Sequence, residues 1–181
     1  MVVTTRKQAE DEQNQLALII DNALNLHNAL KTLQFKENVI VIGTERGIKV
    51  TAEDFKCVQG DAYLEKDLFV FYHAKDNPTF KVNLNVFCEC LNIFGTTQQG
   101  TTPLKLIYKE HGQPLRLILE GDNGAVTDCQ IKTYETDDDE LINFEFHRDS
   151  VLSKIIIKAE PLREMFADMD PTSDLVKVNL Q

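Results

Sequence analysis

Tryptophan is absent from this sequence, and glycine, proline and cysteine are scarce, at eight, five and four of 181 residues. So little glycine and proline excludes collagen-like and low-complexity chains. Four scattered cysteines, Cys57, Cys88, Cys90 and Cys129, do not make a disulfide scaffold, and they are expected as reduced, half-buried thiols. Cys88-x-Cys90 lacks zinc-knuckle spacing and a second ligand pair, so neither a metal nor another cofactor is expected. No apolar run approaches the roughly 18–20 residues that span a bilayer, and no membrane partner is expected. The first fifteen residues, MVVTTRKQAEDEQNQ, have no apolar core behind their basic residues. They read as a frayed polar tail rather than a secretory signal.

Cations are short too. Nineteen Lys and Arg face 29 Asp and Glu, for a net charge of -10. That argues against broad, nonspecific adhesion to nucleic acid, which needs cations to displace counterions. It leaves room for a local neutral or basic surface that faces DNA. His27, His73, His111 and His147 are dispersed, no Ser/His/Asp or Cys/His grouping stands out, and no Gly-rich phosphate loop is present.

What the chain does have is a recurring unit. Leu16–Asp21 reads as a strand and runs into a helix over Asn22–Leu33, with Ala23, Leu26, Leu30 and Leu33 at helical spacing. A hairpin follows over Val39–Asp54, with further strands at Phe55–Leu64 and Asp67–Ala74. The order then returns. Thr79–Asn83 is a strand, and Leu84–Phe94 a helix striped by Leu84, Phe87, Leu91 and Phe94 and stopped by Gly95. Strands follow at Leu104–Lys109, Leu115–Glu120 and Ala125–Tyr134, the last two joined by a turn at Gly121–Gly124. A third start has a strand at Ser153–Glu160, a helix at Pro161–Met169 and a strand at Asp174–Leu180. These units predict an α+β fold. Leu26, Leu30, Leu33, Leu84, Phe87 and Leu91 pack under one antiparallel sheet, with both helices side by side on it.

The outward helix faces are polar but hardly charged. The first carries Asn25, Asn28, Lys31 and Thr32, the second Asn85, Glu89 and Asn92, the third Arg163 and Ala167. They read either as ordinary wet helices or as faces that slide past something without gripping it. Between the second and third units, Tyr134–Asp149 holds seven acidic residues and one arginine, interrupted by Leu141, Ile142, Phe144 and Phe146. It reads as a solvated acidic loop strapped across a sheet. A Mg²⁺ site on Asp137, Asp138 and Asp139 is disfavoured, because consecutive loop carboxylates converge poorly.

The stretches FKENVIVIGTERGIKVTAEDFKCVQGDAYL, VNLNVFCECLNIFG and KIIIKAEPLREMFADMDPTSDLVKVNL resemble the sliding clamps of the proliferating-cell-nuclear-antigen type. Within these the chain is most similar to the Rad-one subunit family of the heterotrimeric DNA-damage checkpoint clamp. The likeness runs from about Leu16 to Leu180. It implies a DNA-clamp fold with repeated helices lining a hole, and a nuclear, non-enzymatic subunit. Partners would be two other clamp subunits, duplex DNA in the ring channel, a clamp loader, and checkpoint and repair proteins. It divides the chain into a tail to residue 15, a first domain over 16–134, an acidic connector over 135–152, and the start of a second domain at 153–181. Two such domains need roughly 250 residues, so the second is expected to be truncated.

The same resemblance sets expectations for sites. Asn25, Asn28, Lys31, Asn85, Asn92 and Arg163 would face DNA. Val126, Thr127, Asp128, Cys129, Gln130, Ile131 and Lys132 would form a subunit interface, which proline at Cys129 or Ile131 would test. Leu141, Ile142 and Phe144 would offer the connector to partners. Glu89 and Asn92 stand where relatives of the replicative clamp carry Lys, so little grip on DNA is expected. Two alternatives remain open: a 3′-to-5′ exonuclease, for which Asp21, Asp54 and Asp61 are the acids to consider, and an interaction domain with no DNA role.

Overall fold

The structure is a computed structural model that describes residues 11–55, 57–95, 101–121, 124–136, 149, 151, 153–177 and 179. The chain divides into two compact units, Met1–Ile142 and Asn143–Gln181.

In the first unit, β1 (Leu16–Ile20) leads into α1 (Ala23–Lys31) and then into β2 (Asn38–Thr44), β3 (Gly47–Asp54), β4 (Val58–Glu65) and β5 (Phe71–Ala74). The order repeats with β6 (Thr79–Asn83), α2 (Leu84–Leu91), β7 (Leu104–Tyr108), β8 (Leu115–Glu120), β9 (Val126–Ile131) and β10 (Thr133–Tyr134). All pairings are antiparallel. The strands form two sheets rather than the one expected, in the orders β5-β1-β7-β8-β9 and β10-β6-β2-β3-β4. Each repeat therefore keeps its three-stranded meander and lends its first and last strands to the meander of the other. Sequence periodicity reports which face a strand buries but not which neighbour it joins, so this exchange was not legible from it.

Matching asparagines start the two helices. The Leu24 N–H donates to Asn22 Oδ1, and the Val86 N–H to Asn83 Oδ1, both at 3.0 Å. The helices have nine and eight residues, too short to persist alone in water. Packing holds them: Leu26 and Leu30 of α1, and Leu84, Phe87 and Leu91 of α2, are all buried. At about 1.5–3 kcal/mol for each such side chain, burial outweighs the nucleation cost. Leu26 and Phe87 meet Val41, Phe80, Leu106 and Leu115 from both sheets, and the void at this junction is only about 10 Å³. That is at the lower limit for one water, so the core is closely packed.

Two contacts join the sheets directly. The rings of Phe80 on β6 and Tyr108 on β7 lie 4.2 Å apart between centroids. Tyr72 on β5 reaches the β2–β3 turn of the other sheet. Its hydroxyl accepts from the Thr44 N–H at 3.2 Å and faces the Thr44 and Gly47 carbonyls at 2.7 and 2.8 Å. This turn admits only glycine at position 47, where φ is +138° and an added Cβ would lie 2.0 Å from the Leu64 carbonyl oxygen.

Several expected boundaries shift. Phe55 belongs to the β3–β4 turn, with φ of +48°, so the strand expected from Phe55 begins at Val58. A 3₁₀ turn over Lys66–Leu68 replaces the start of the strand expected at Asp67. Ala125–Tyr134 is two strands, broken at Lys132, where the chain crosses from one sheet to the other. The tail expected to fray is tied down at its end. Asp11 is buried and pairs with Lys105 Nζ at 2.6 Å, and the Gln15 N–H donates to the Lys109 carbonyl at 3.1 Å.

In the second unit, α3 (Ala159–Ala167) carries Pro161 in its first turn. No strand forms among the described residues of Ser153–Glu160 or Asp174–Leu180, contrary to expectation. A strand needs a ladder partner, and none is hydrogen-bonded to either segment among the described residues.

Burial pushes the Tyr72 phenol up to about 12, with the Thr44 main-chain hydrogen bond pulling the other way. The folded state thus favours the neutral phenol. Its contribution to stability is complete below the unfolded value near 10 and is lost as pH rises through about 12. Tyr72→Phe should lower unfolding free energy by about 1–2 kcal/mol in urea titration near neutral pH. It should also remove a phenolate absorbance transition near pH 12.

Candidate functional site

The polar sides of α1 and α2 lie next to each other. A groove of about 380 Å³ between them is lined by His27, Lys31, Gln34, Asn85, Cys88, Glu89 and Asn92. Gln34 Nε2 donates to Asn85 Oδ1 across it at 3.5 Å. Asn25, Asn28, Lys31, Asn85 and Glu89 are exposed. Asn92 differs from the others, because it caps the C-terminus of α2 and its Oδ1 is buried. Lys31 and Glu89 are the only charged residues within α1 and α2, so the two helices together carry no net charge with histidine neutral. Arg163 is exposed on α3 of the second unit. Leu141, Ile142 and Phe144 lie outside the described residues.

The second feature is the edge strand β9. Gly121 donates its N–H to the Ala125 carbonyl at 2.8 Å, and Glu120 donates to the Pro103 carbonyl on the β7 side at 3.1 Å. Antiparallel strands alternate hydrogen-bonded and non-bonded pairs. With Thr127 opposite Leu119, Cys129 opposite Leu117 and Ile131 opposite Leu115, those three residues direct their main-chain groups at β8. Val126, Asp128 and Gln130 direct theirs away from β8, at an edge that no strand pairs with among the described residues. Proline at Cys129 or Ile131 would therefore break the internal ladder. The positions that test the edge are Asp128 and Gln130. Lys132 lies beyond the strand, with its ammonium 5.1 Å from the Tyr134 ring centroid.

A flank accompanies this edge. The Cys90 thiol of α2 meets that of Cys129 on β9, and burial together with this neighbour pushes the Cys90 thiol up to about 11. Val86 and Ile93, one turn to either side of Cys90, are 41% and 47% exposed. Sequence reading passed over this second stripe because Leu84, Phe87 and Leu91 already accounted for the core. The spacing i, i+4, i+7 was the available signal.

The acids considered for nuclease chemistry part company. Asp54 pairs with Lys36 at 2.6 Å. Asp61 accepts from Thr51 Oγ1 at 2.6 Å and from Gln59, and lies 3.4 Å from Lys49 Nζ. Burial alone would raise the Asp61 carboxyl, but these contacts outweigh it and hold the pKa below its ordinary value. Asp21 is exposed at the end of β1. Among the described residues no group of three or more His, Cys, Asp or Glu is placed to hold a metal ion. Among the same residues no helix is long and apolar enough to cross a membrane.

Twinned strand–helix–strands units with exchanged sheets and paired helices make up the sliding-clamp fold. The crystal structure of PCNA from Thermococcus kodakaraensis shares this fold at a TM-score of 0.59 and 20% identity, over 72% of this chain and 51% of that one. Residues 15–181 match the family described as Repair protein Rad1/Rec1/Rad17, and the chain belongs to that family. The human "Cell cycle checkpoint protein RAD1" is 39% identical over 99% of this chain and 64% of its own length. The mouse protein of the same name is 38% identical over the same shares. The "DNA repair protein Rad1" of Drosophila melanogaster is 29% identical over 81% of this chain and 53% of its own length. This chain thus spans just under two thirds of the mammalian relatives it matches.

Amide hydrogen exchange checks the edge assignment without mutation. The Val126, Asp128 and Gln130 amides should exchange at least about a hundredfold faster than those of Thr127, Cys129 and Ile131. Uniform protection along β9 would show that its open edge is already paired.

Proposed function

We propose that the protein is one subunit of a heterotrimeric ring that encircles duplex DNA and carries checkpoint and repair proteins in the nucleus. The observation that supports this most directly is the pair of like helices with adjoining polar faces and no net charge, in a domain with an open strand edge. The helices supply a wall for the channel. Asn25, Asn28, Lys31 and Asn85, with Arg163, offer hydrogen bonds and two cations to phosphates, while Asn92, whose Oδ1 is buried, has only its Nδ2 to offer. The open edge of β9, flanked by Val86, Cys90 and Ile93, receives a strand of a neighbouring subunit by β-augmentation.

In this reading residues 16–134 are the first clamp domain, 135–152 the connector, and 153–181 the beginning of the second domain. Ile155, Ile156, Ile157, Met165, Phe166 and Leu175 are exposed apolar residues of the second unit and suit the core of such a domain. Leu141, Ile142 and Phe144 in the connector would meet recruited proteins or the loader. The subunit works by topology and needs no catalytic group. The dispersal of Asp21, Asp54 and Asp61 supports a non-enzymatic role over the exonuclease alternative.

Retention on DNA should come from ring closure. Lys31→Ala with Arg163→Ala should lower the slope of log affinity against log salt for the assembled ring by at most about two units. Loaded rings should persist on circular DNA, with or without these changes, and run off linear DNA with free ends. Tight binding of the isolated chain to linear duplex at physiological salt would overturn the sliding-wall reading. Digestion of DNA in Mg²⁺ by rigorously purified protein would establish the nuclease instead.

A further inference from the structure

The open edge of β9 carries one charge. In Val126–Ile131 only Asp128 is ionisable apart from the Cys129 thiol, and its main chain is directed at the position an added strand would take. Its side chain lies on the sheet face away from the core, shared by Arg116, Ile118 and Gln130. Arg116 on β8 grips the carboxylate from the inboard side. Nε donates to Oδ1 at 2.9 Å and to Oδ2 at 3.1 Å, and Nη2 also donates to Oδ2. Both carboxylate oxygens thus engage Arg116 on the inboard side, and the open edge lies on the other side of Asp128. Both side chains remain nearly half-exposed, so an added strand would desolvate the pair further.

We propose that Asp128 selects the strand that β9 accepts: one that places a basic side chain opposite Asp128, and not a second copy of β9. This rests on the reading of β9 as a subunit edge. Residues directly opposite in antiparallel strands have Cβ atoms about 4.5–5.5 Å apart, and like charges there oppose pairing. A basic side chain opposite Asp128 gives the carboxylate a cation on each side. A second β9, paired about its centre, brings two Arg116–Asp128 pairs together with their carboxylates inward and guanidiniums outward. Self-pairing through the same three main-chain groups is therefore opposed, while a basic partner strand is favoured. Val126 and Gln130 supply hydrogen-bonding groups without discriminating between the two.

Two experiments test this. In the first, the chain is co-expressed with the two other clamp subunits of its organism, and its association with them is read by gel filtration and by the rate of subunit dissociation. Asp128→Lys should weaken assembly about tenfold or more, and Asp128→Asn by less. Both variants should keep the wild-type melting temperature within about 2 °C, since an exposed ion pair contributes little to folding. A wild-type chain that binds neither of the other clamp subunits would overturn the subunit reading itself. A wild-type chain that assembles while Asp128→Lys assembles as tightly would overturn only the role of Asp128. The second experiment needs no partner: sedimentation equilibrium of the isolated chain. Wild type should be monomeric, and Asp128→Val should dimerise at least about fivefold more readily. Equal self-association of the two proteins would overturn the selection against self-pairing.

Discussion

The exchange of strands between the two repeats is the constraint on which the rest of this domain depends. β1 is separated in sequence from β2–β4, the meander of its own repeat, by α1, yet it bonds to β7 of the other repeat. β6 bonds to β2 in the same reciprocal way. Neither five-stranded sheet is completed by the strands of one repeat alone, so each sheet depends on both repeats. Most of the stabilising contacts join residues far apart in sequence, an arrangement that favours cooperative and comparatively slow folding.

The exchange also fixes what lies on the surface. Each helix follows the strand its repeat lends away, so both helices arrive at the seam between the sheets and meet there. Their leucines and phenylalanine enter the common core, which leaves the asparagines of both helices on the remaining side as one continuous polar surface. The Tyr72 hydroxyl and the Phe80–Tyr108 ring contact close the seam elsewhere. Sheet edges follow from the same topology. β9 is last in one sheet because its repeat's final strand, β10, has crossed to the other. An open edge beside an exposed helix flank is thus a direct result of a single crossing at Lys132.

Most elements of the first unit were legible from sequence because each has one strongly apolar face. The leucine spacing located α1, and alternation located β2 and β3. Legibility failed where local pattern does not carry the deciding interaction. Ala125–Tyr134 reads as one strand because alternation continues through the point where the hydrogen-bonding partner changes. Ser153–Glu160 has the β-branched content of a strand, but extended structure needs a ladder that lies outside the segment. The polar residues proposed to face DNA could be placed on helix surfaces from spacing alone. That Asn92 is a cap, that Arg116 holds Asp128, and that Val86 and Ile93 flank the β9 edge all depend on tertiary neighbours. Cys129 and Ile131 were named in the right strand, but main-chain direction depends on hydrogen-bond phase, which side-chain alternation does not report.

The charge distribution bears on how such a ring would hold DNA. The chain carries a net charge of -10, while α1 and α2 contain one lysine and one glutamate. The acidic excess therefore lies off the proposed channel wall. A uniformly acidic wall would repel phosphates, and the Debye length of about 8 Å at physiological salt would not screen a duplex in close approach. A strongly basic wall would bind by counterion release and resist movement along the duplex. Asparagines avoid both outcomes. They exchange hydrogen bonds with water and phosphate at little net cost, so successive positions along the duplex are nearly equal in free energy. In the proposed ring such a wall would give free movement and almost no affinity. The burden of staying on DNA would then pass to the integrity of the ring, and so to strand edges such as β9.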